Sequence, residues 1–241
     1  LKLAKKYLKF IETSLTDKGA FHNYFNCNKS LNIEANSKDS LEDANARTLY
    51  VLAKTLTFKK LPRYLKNKIY EIYQKRFQIP LEFNHPRSIA FYIIGLCHLY
   101  QLKKNTGLKS LIHRYCKKLT AMYRLNRTSR WEWFEEKLTY SNSILSEALL
   151  EGFKATGKKE YYLTGKKTLD FLINKTFCKD YYIPIGQNGW YTKFGQRAYY
   201  AQQPEETAAM VVLAMEKLLE KKFSGKDDEK FISEILKSLK K

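Results

Sequence analysis

Apolar residues recur at helical spacing along almost the whole chain, and no segment alternates convincingly as a strand. Residues 3–15 show the pattern plainly, with Leu3, Tyr7, Leu8, Phe10, Ile11 and Leu15 on an i, i+4, i+7 stripe. Further helices are expected at 40–58, 62–79, 86–104, 108–125, 143–156, 159–177, 204–221 and 227–239. Pro62, Pro86 and Pro204 suit first turns, and Gly157 suits a helix end. Residues 181–185 are the one candidate for a short extended piece. The fold class is therefore all-α.

Long and short connections alternate. The second and third helices, the fourth and fifth, and the sixth and seventh are joined by about two to four residues each. Longer stretches at 17–39, 77–85, 126–142 and 178–203 separate the other pairs. In an antiparallel series alternate connections lie at opposite ends, so the four long ones are expected at one end. An (α/α) toroid of antiparallel helical hairpins fits this best, with the second, fourth, sixth and eighth helices as an inner ring. Six closed hairpins need twelve helices and nine are counted, so the expectation is a single domain over 1–241, either an incomplete or truncated six-hairpin barrel lacking the last hairpin or one with elements that the pattern does not mark.

Lys plus Arg is 44 against 24 Asp plus Glu, a net charge of +20. The lysines are spread along the helices rather than gathered in a tail, which favours a general basic drift over a nucleic-acid-binding segment. Nucleic acid is not the expected partner. Cys27, Cys97, Cys116 and Cys178 form no CxxC pair, and the four His lack metal spacing, so no metal and no cofactor are expected. Neither a leader pattern nor an apolar run of membrane-spanning length is present, and a cytoplasmic location is the expectation.

The long connections carry the chemistry. The first places His22 among aromatics and leads through Ser40, an N-cap candidate, to Glu42, Asp43 and Arg47. These acids serve either as caps and dipole complements or as carboxylates aimed into a shared cleft. His85, in the second connection, reads as a cap or surface residue. The third holds Trp131, Glu132, Trp133, Phe134, Glu135 and Glu136, then Tyr140 and Asn142. Its indoles are either sugar platforms or plugs at the ring end. The fourth offers Gln187, Trp190, Tyr191, Gln202, Gln203 and Glu206, although Glu206 is also placed to cap the helix that Pro204 opens. Carboxylates among aromatics and amides suit glycosidic-bond cleavage, in which one acid protonates the leaving oxygen and a second carboxylate activates water or attacks.

SLEDANARTLYVLA, WEWFEEKLTYSNSILSEALL, and PIGQNGWY followed by QQPEETAAM resemble a poorly characterised bacterial and archaeal family. Its members occur alone or fused to glycosyltransferases, and its fold is similar to the six-hairpin glycosidases. Glu42, Asp43 and Arg47 match its first motif. Trp131, Trp133, Phe134, Glu135, Leu138, Thr139 and Tyr140 match its second, with Ser141 where the family usually has Asp. Gly189, Trp190 and Tyr191, then Gln202, Gln203, Pro204 and Glu206, match the rest. The resemblance implies a glycan context. The expectation is a glycosidase-type hydrolase acting on an oligo- or polysaccharide, with Glu135, Glu136, Asp43 and Glu206 as catalytic candidates. Glu42, Arg47, His22, Trp131, Trp133, Tyr140, Asn142, Gln187, Trp190, Tyr191, Gln202 and Gln203 are the substrate-binding candidates. The alternative is a non-catalytic glycan-binding or scaffold module beside a glycosyltransferase.

Overall fold

The computed structural model describes residues 2–17, 19–76, 82–178 and 181–199. Eight helices lie among them: α1 (Lys2–Ser14), α2 (Ile33–Lys38), α3 (Glu42–Leu56), α4 (Arg63–Arg76), α5 (Pro86–Leu102), α6 (Thr106–Asn126), α7 (Ser143–Thr156) and α8 (Lys159–Thr176). Four two-residue strands complete the elements: β1 (Lys137–Leu138), β2 (Phe177–Cys178), β3 (Tyr181–Tyr182) and β4 (Tyr191–Thr192). The fold is all-α. The expected helices at 204–221 and 227–239 lie outside the described residues.

Among the helices, two features differ from the sequence reading. The six-residue α2 interrupts the first long connection, capped by Asn32, whose side chain accepts the Ala35 N–H at 2.9 Å. Helix α3 starts at Glu42, and its N-cap position is Leu41 rather than Ser40. The Leu41 side chain has no oxygen to offer, so this helix begins without a side-chain cap.

The chain divides into two compact units, 1–108 and 109–241. In the first, α3 packs on α5. Leu49, Leu52, Ala53 and Leu56 of α3 and Leu65, Ile69 and Ile72 of α4 are buried. A surface helix buries one stripe, yet α5 buries every residue from Arg87 to Cys97. The α3–α5 approach is close at Gly95, where a Cβ would lie 3.1 Å from the Tyr50 Cα. Tyr73 of α4 donates its hydroxyl to the Leu49 carbonyl, and burial pushes this phenol far up.

In the second unit α7 packs on α8 and is itself buried at every residue from Ser143 to Gly152. Gly152 has no room for a side chain, because a Cβ there would lie 2.3 Å from the Cys116 Sγ. Ser146 and Thr168 share a hydrogen bond of 2.9 Å within this packing. Helix α7 ends as expected at Gly157, whose φ of 77° is the left-handed conformation that lets its N–H return to the Phe153 carbonyl.

Candidate functional site

In the first unit the sequence candidates are His22, Glu42, Asp43 and Arg47. Glu42 reaches from the start of α3 to the start of α5, where its Oε2 accepts the backbone N–H groups of Asn84 (2.7 Å) and His85 (3.0 Å). The carboxylate thereby satisfies N–H groups at a helix entrance, where negative charge is also favoured by the dipole. It joins the end of the first long connection to the end of the second. His85 takes the N-cap position through its backbone, while its side chain caps nothing and is exposed. Asp43 Oδ2 accepts from Arg47 Nε at 2.7 Å, one turn along α3. The Arg47 guanidinium also lies over the Phe91 ring, 4.5 Å from its centre. Asp43 Oδ1 and His22 Nδ1 are buried and have no hydrogen-bond partner. The His22 backbone is fixed by donation to the Ser14 carbonyl at 2.9 Å.

The second unit brings more of the candidates together. Leaving α6, the chain turns back through paired Thr128 and Trp131, and the Asn126 side chain donates to the Phe134 carbonyl at 2.8 Å. Trp131 and Trp133 are both buried, at 3% and 0% exposure. This is the plugging role that the sequence left open beside that of sugar platform. Trp131 lies edge-on to Phe171 and Tyr191, at 5.2 and 5.8 Å, and donates its indole N–H to the Glu135 carbonyl at 2.6 Å. Trp133 packs against Phe134 and Phe171, at 5.2 and 6.1 Å.

Leu138 then pairs with Tyr191 and Lys137 with Thr192, so β1 and β4 join the third long connection to the fourth. The Lys193 N–H extends this pairing to the Glu136 carbonyl at 2.8 Å. Beyond β1, Asn142 folds back on Thr139: its Oδ1 accepts the Thr139 N–H at 2.9 Å and its Nδ2 donates to the Thr139 carbonyl at 2.7 Å. Ser141, at φ 44°, makes the bend between them. Asn142 is fully buried and spends these groups on the loop. Tyr140, on this bend, faces Trp190 with ring centres 6.5 Å apart. Trp190 sits at φ 61°, held by donation from its N–H to the Gly186 carbonyl at 3.0 Å and by the Ala198 N–H at its own carbonyl at 2.7 Å. Both rings are partly exposed. Glu135 is partly exposed, whereas Glu136 and Gln187 are exposed.

Two sets of side chains outside the catalytic and substrate-binding candidates brace this region. Glu132 accepts from the Tyr123 hydroxyl and pairs with Lys167 of α8 at 2.8 Å. Partial burial pushes the Glu132 carboxyl up, but the hydrogen bonds from Lys167 and Tyr123 and the nearby positive charge outweigh it and hold the group below its ordinary range. Lys167 is correspondingly raised by its bond to Glu132. Arg197 donates to the Lys175 and Ile183 carbonyls and lies over the Tyr191 and Tyr199 rings, at 5.4 and 5.2 Å. With Trp131 at its edge and Lys175 also over it at 5.7 Å, the Tyr191 ring is enclosed by neighbours of its own unit. A lysine or arginine in a basic chain carries no local pattern that announces such a partner.

Gln202, Gln203 and Glu206 lie outside the described residues. Among the described residues no group of three or more His, Cys, Asp or Glu side chains is arranged to hold a metal ion. Nor is any helix among them long and apolar enough to cross a membrane.

No family model matches the sequence, and no curated protein matches it. The structure is similar to the crystal structure of a sugar epimerase from a ruminal bacterium, with a TM-score of 0.60 and 15% identity. The match covers 95% of this chain and 69% of that one. At this identity the likeness is one of fold.

Proposed function

We propose that this chain is a carbohydrate-active protein of (α/α)-toroid type that binds an oligo- or polysaccharide beside Tyr140 and Trp190. The observation carrying this reading is the pair of partly exposed rings 6.5 Å apart, each set on its own braced loop. Sugar rings present C–H faces that stack on such aromatics, while amides and carboxylates bond the hydroxyls. The fold of the sugar epimerase supports the same substrate class.

The reaction assigned here is glycosidic hydrolysis. Glu135 donates a proton to the leaving oxygen, and Glu206 activates the water that attacks the anomeric carbon as the C–O bond breaks. Glu136 is a like-charged neighbour of the acid. Gln187, Gln202 and Gln203 are the proposed contacts to hydroxyls. A glycan panel with product analysis tests this: Glu135→Gln is expected to abolish release of cleaved sugar while leaving binding intact. Unchanged turnover in that variant rejects the assignment, and an epimerised, uncleaved product replaces hydrolysis with the chemistry of the structural relative.

A second reading is a glycan-binding module without turnover, working beside a glycosyltransferase. It is favoured by Asp43, whose carboxylate already holds Arg47. It is distinguished by sugar-dependent thermal stabilisation with no product from any glycan.

A further inference from the structure

We propose that the outer face of α1 docks on an anionic membrane surface. Leu3, Tyr7 and Phe10 lie at i, i+4 and i+7 and share one side of the helix. They are 67%, 65% and 54% exposed, an unusual state for three large apolar side chains in one row. The other side of α1 is occupied. Leu8 is buried, Lys5 lies over the Tyr64 ring of α4 at 5.0 Å, and Glu12 pairs with Lys68 of α4 at 2.7 Å. Attachment to α4 therefore fixes which face of α1 points outward.

The apolar row continues beyond the helix. Phe10 meets Phe25 with ring centres 5.2 Å apart, and Phe25 pairs through its backbone with Leu31. Leu31 and Ile33 are themselves exposed, at 38% and 76%.

Charge selects the occupant. Lys2, Lys6 and Lys9 flank this row and are exposed; with Lys5, on the α4 side, they are the charged residues of α1 ahead of Glu12. A row of Leu, Tyr and Phe beside lysines is the composition of a helix that lies in a headgroup layer, with the apolar side chains below and the ammonium groups at the lipid phosphates. A 13-residue helix is too short to span a bilayer but long enough to lie on one. A second copy of this chain would bring lysine against lysine in a protein of net charge +20.

The test is sedimentation of the full chain with vesicles of phosphatidylcholine alone or with 30% phosphatidylglycerol, at low and high salt. Binding to the mixed vesicles is expected, with a substantial part surviving high salt because the apolar row is inserted. Leu3→Gln/Tyr7→Gln/Phe10→Gln is expected to weaken binding at least tenfold, with its unfolding midpoint unchanged. Lys2→Gln/Lys6→Gln/Lys9→Gln is expected to do so as well, whereas removal of charge at Lys158 and Lys159 has little effect. The proposal is overturned if the mixed vesicles leave the protein in solution. It is equally overturned if the apolar triple variant binds like the parent, which would reduce the effect to net charge. Concentration-dependent dimerisation abolished by the apolar variant, with no vesicle binding, would assign the face to a second copy instead.

Discussion

Leu138 stands opposite Tyr191 in an antiparallel pair, and that pairing joins two loops separated in sequence by all of α7 and α8. It carries Tyr140 and Trp190 into one neighbourhood and sets Tyr191 against Trp131. In the first unit Glu42 does the equivalent work for the other two long connections, with a carboxylate in place of a strand.

The two indoles Trp133 and Trp190 should separate stability from binding. Trp133 is fully buried, so Trp133→Ala should destabilise the protein by about 3–5 kcal/mol. Trp190→Ala removes a partly exposed ring and should cost about 1 kcal/mol or less. Glycan affinity should fall at least tenfold in Trp190→Ala. Chemical denaturation and calorimetric titration check the two halves.

Glu42→Ala should destabilise the first unit by about 1–3 kcal/mol, since two backbone N–H groups lose a charged acceptor. Glu42→Gln should retain part of this, because its amide oxygen still accepts. Urea unfolding of the three proteins gives the order parent, Gln, Ala.

Gly152→Ala should destabilise by about 1–3 kcal/mol, because its Cβ would fall 2.3 Å from the Cys116 Sγ. Cys116→Ala removes that sulfur, so the double variant should recover much of the loss. A double-mutant cycle by thermal unfolding measures the coupling.

Glu132 gives the pH dependence a sign. Its folded carboxyl lies below the ordinary value of 4.5, so between the two values the unfolded chain binds more protons. The stabilisation from the Glu132–Lys167 pair is therefore complete above about pH 5 and is lost as the pH falls through the lowered native value. Lys167 is raised above 10.5, so its share is present below that pH and fades as the pH rises through the raised value. Glu132→Gln should flatten the acid limb, as read from unfolding midpoints across a pH series.

The helices were legible because their signals are local. Pro86 and Gly157 mark the first turn of α5 and the end of α7, and apolar spacing marks the helices between. Within each unit two of the long connections meet, at Glu42 and at Leu138. The two-residue strands were invisible because alternation needs more length than they have. Helix α2 was missed because six residues hold too little periodicity, and its mark is the Asn32 cap. In an irregular loop no period tells an inward ring from an outward one, so the sequence could not separate buried Trp131 and Trp133 from partly exposed Tyr140 and Trp190.

Calorimetric titration of the parent protein and of Trp190→Ala with a panel of neutral and acidic oligosaccharides tests the carbohydrate assignment most directly. The account predicts saturable binding of at least one glycan by the parent and loss of at least tenfold in affinity in the variant, with unfolding midpoints alike. Binding of no glycan by the folded parent, or equal affinity in the two proteins, would contradict it.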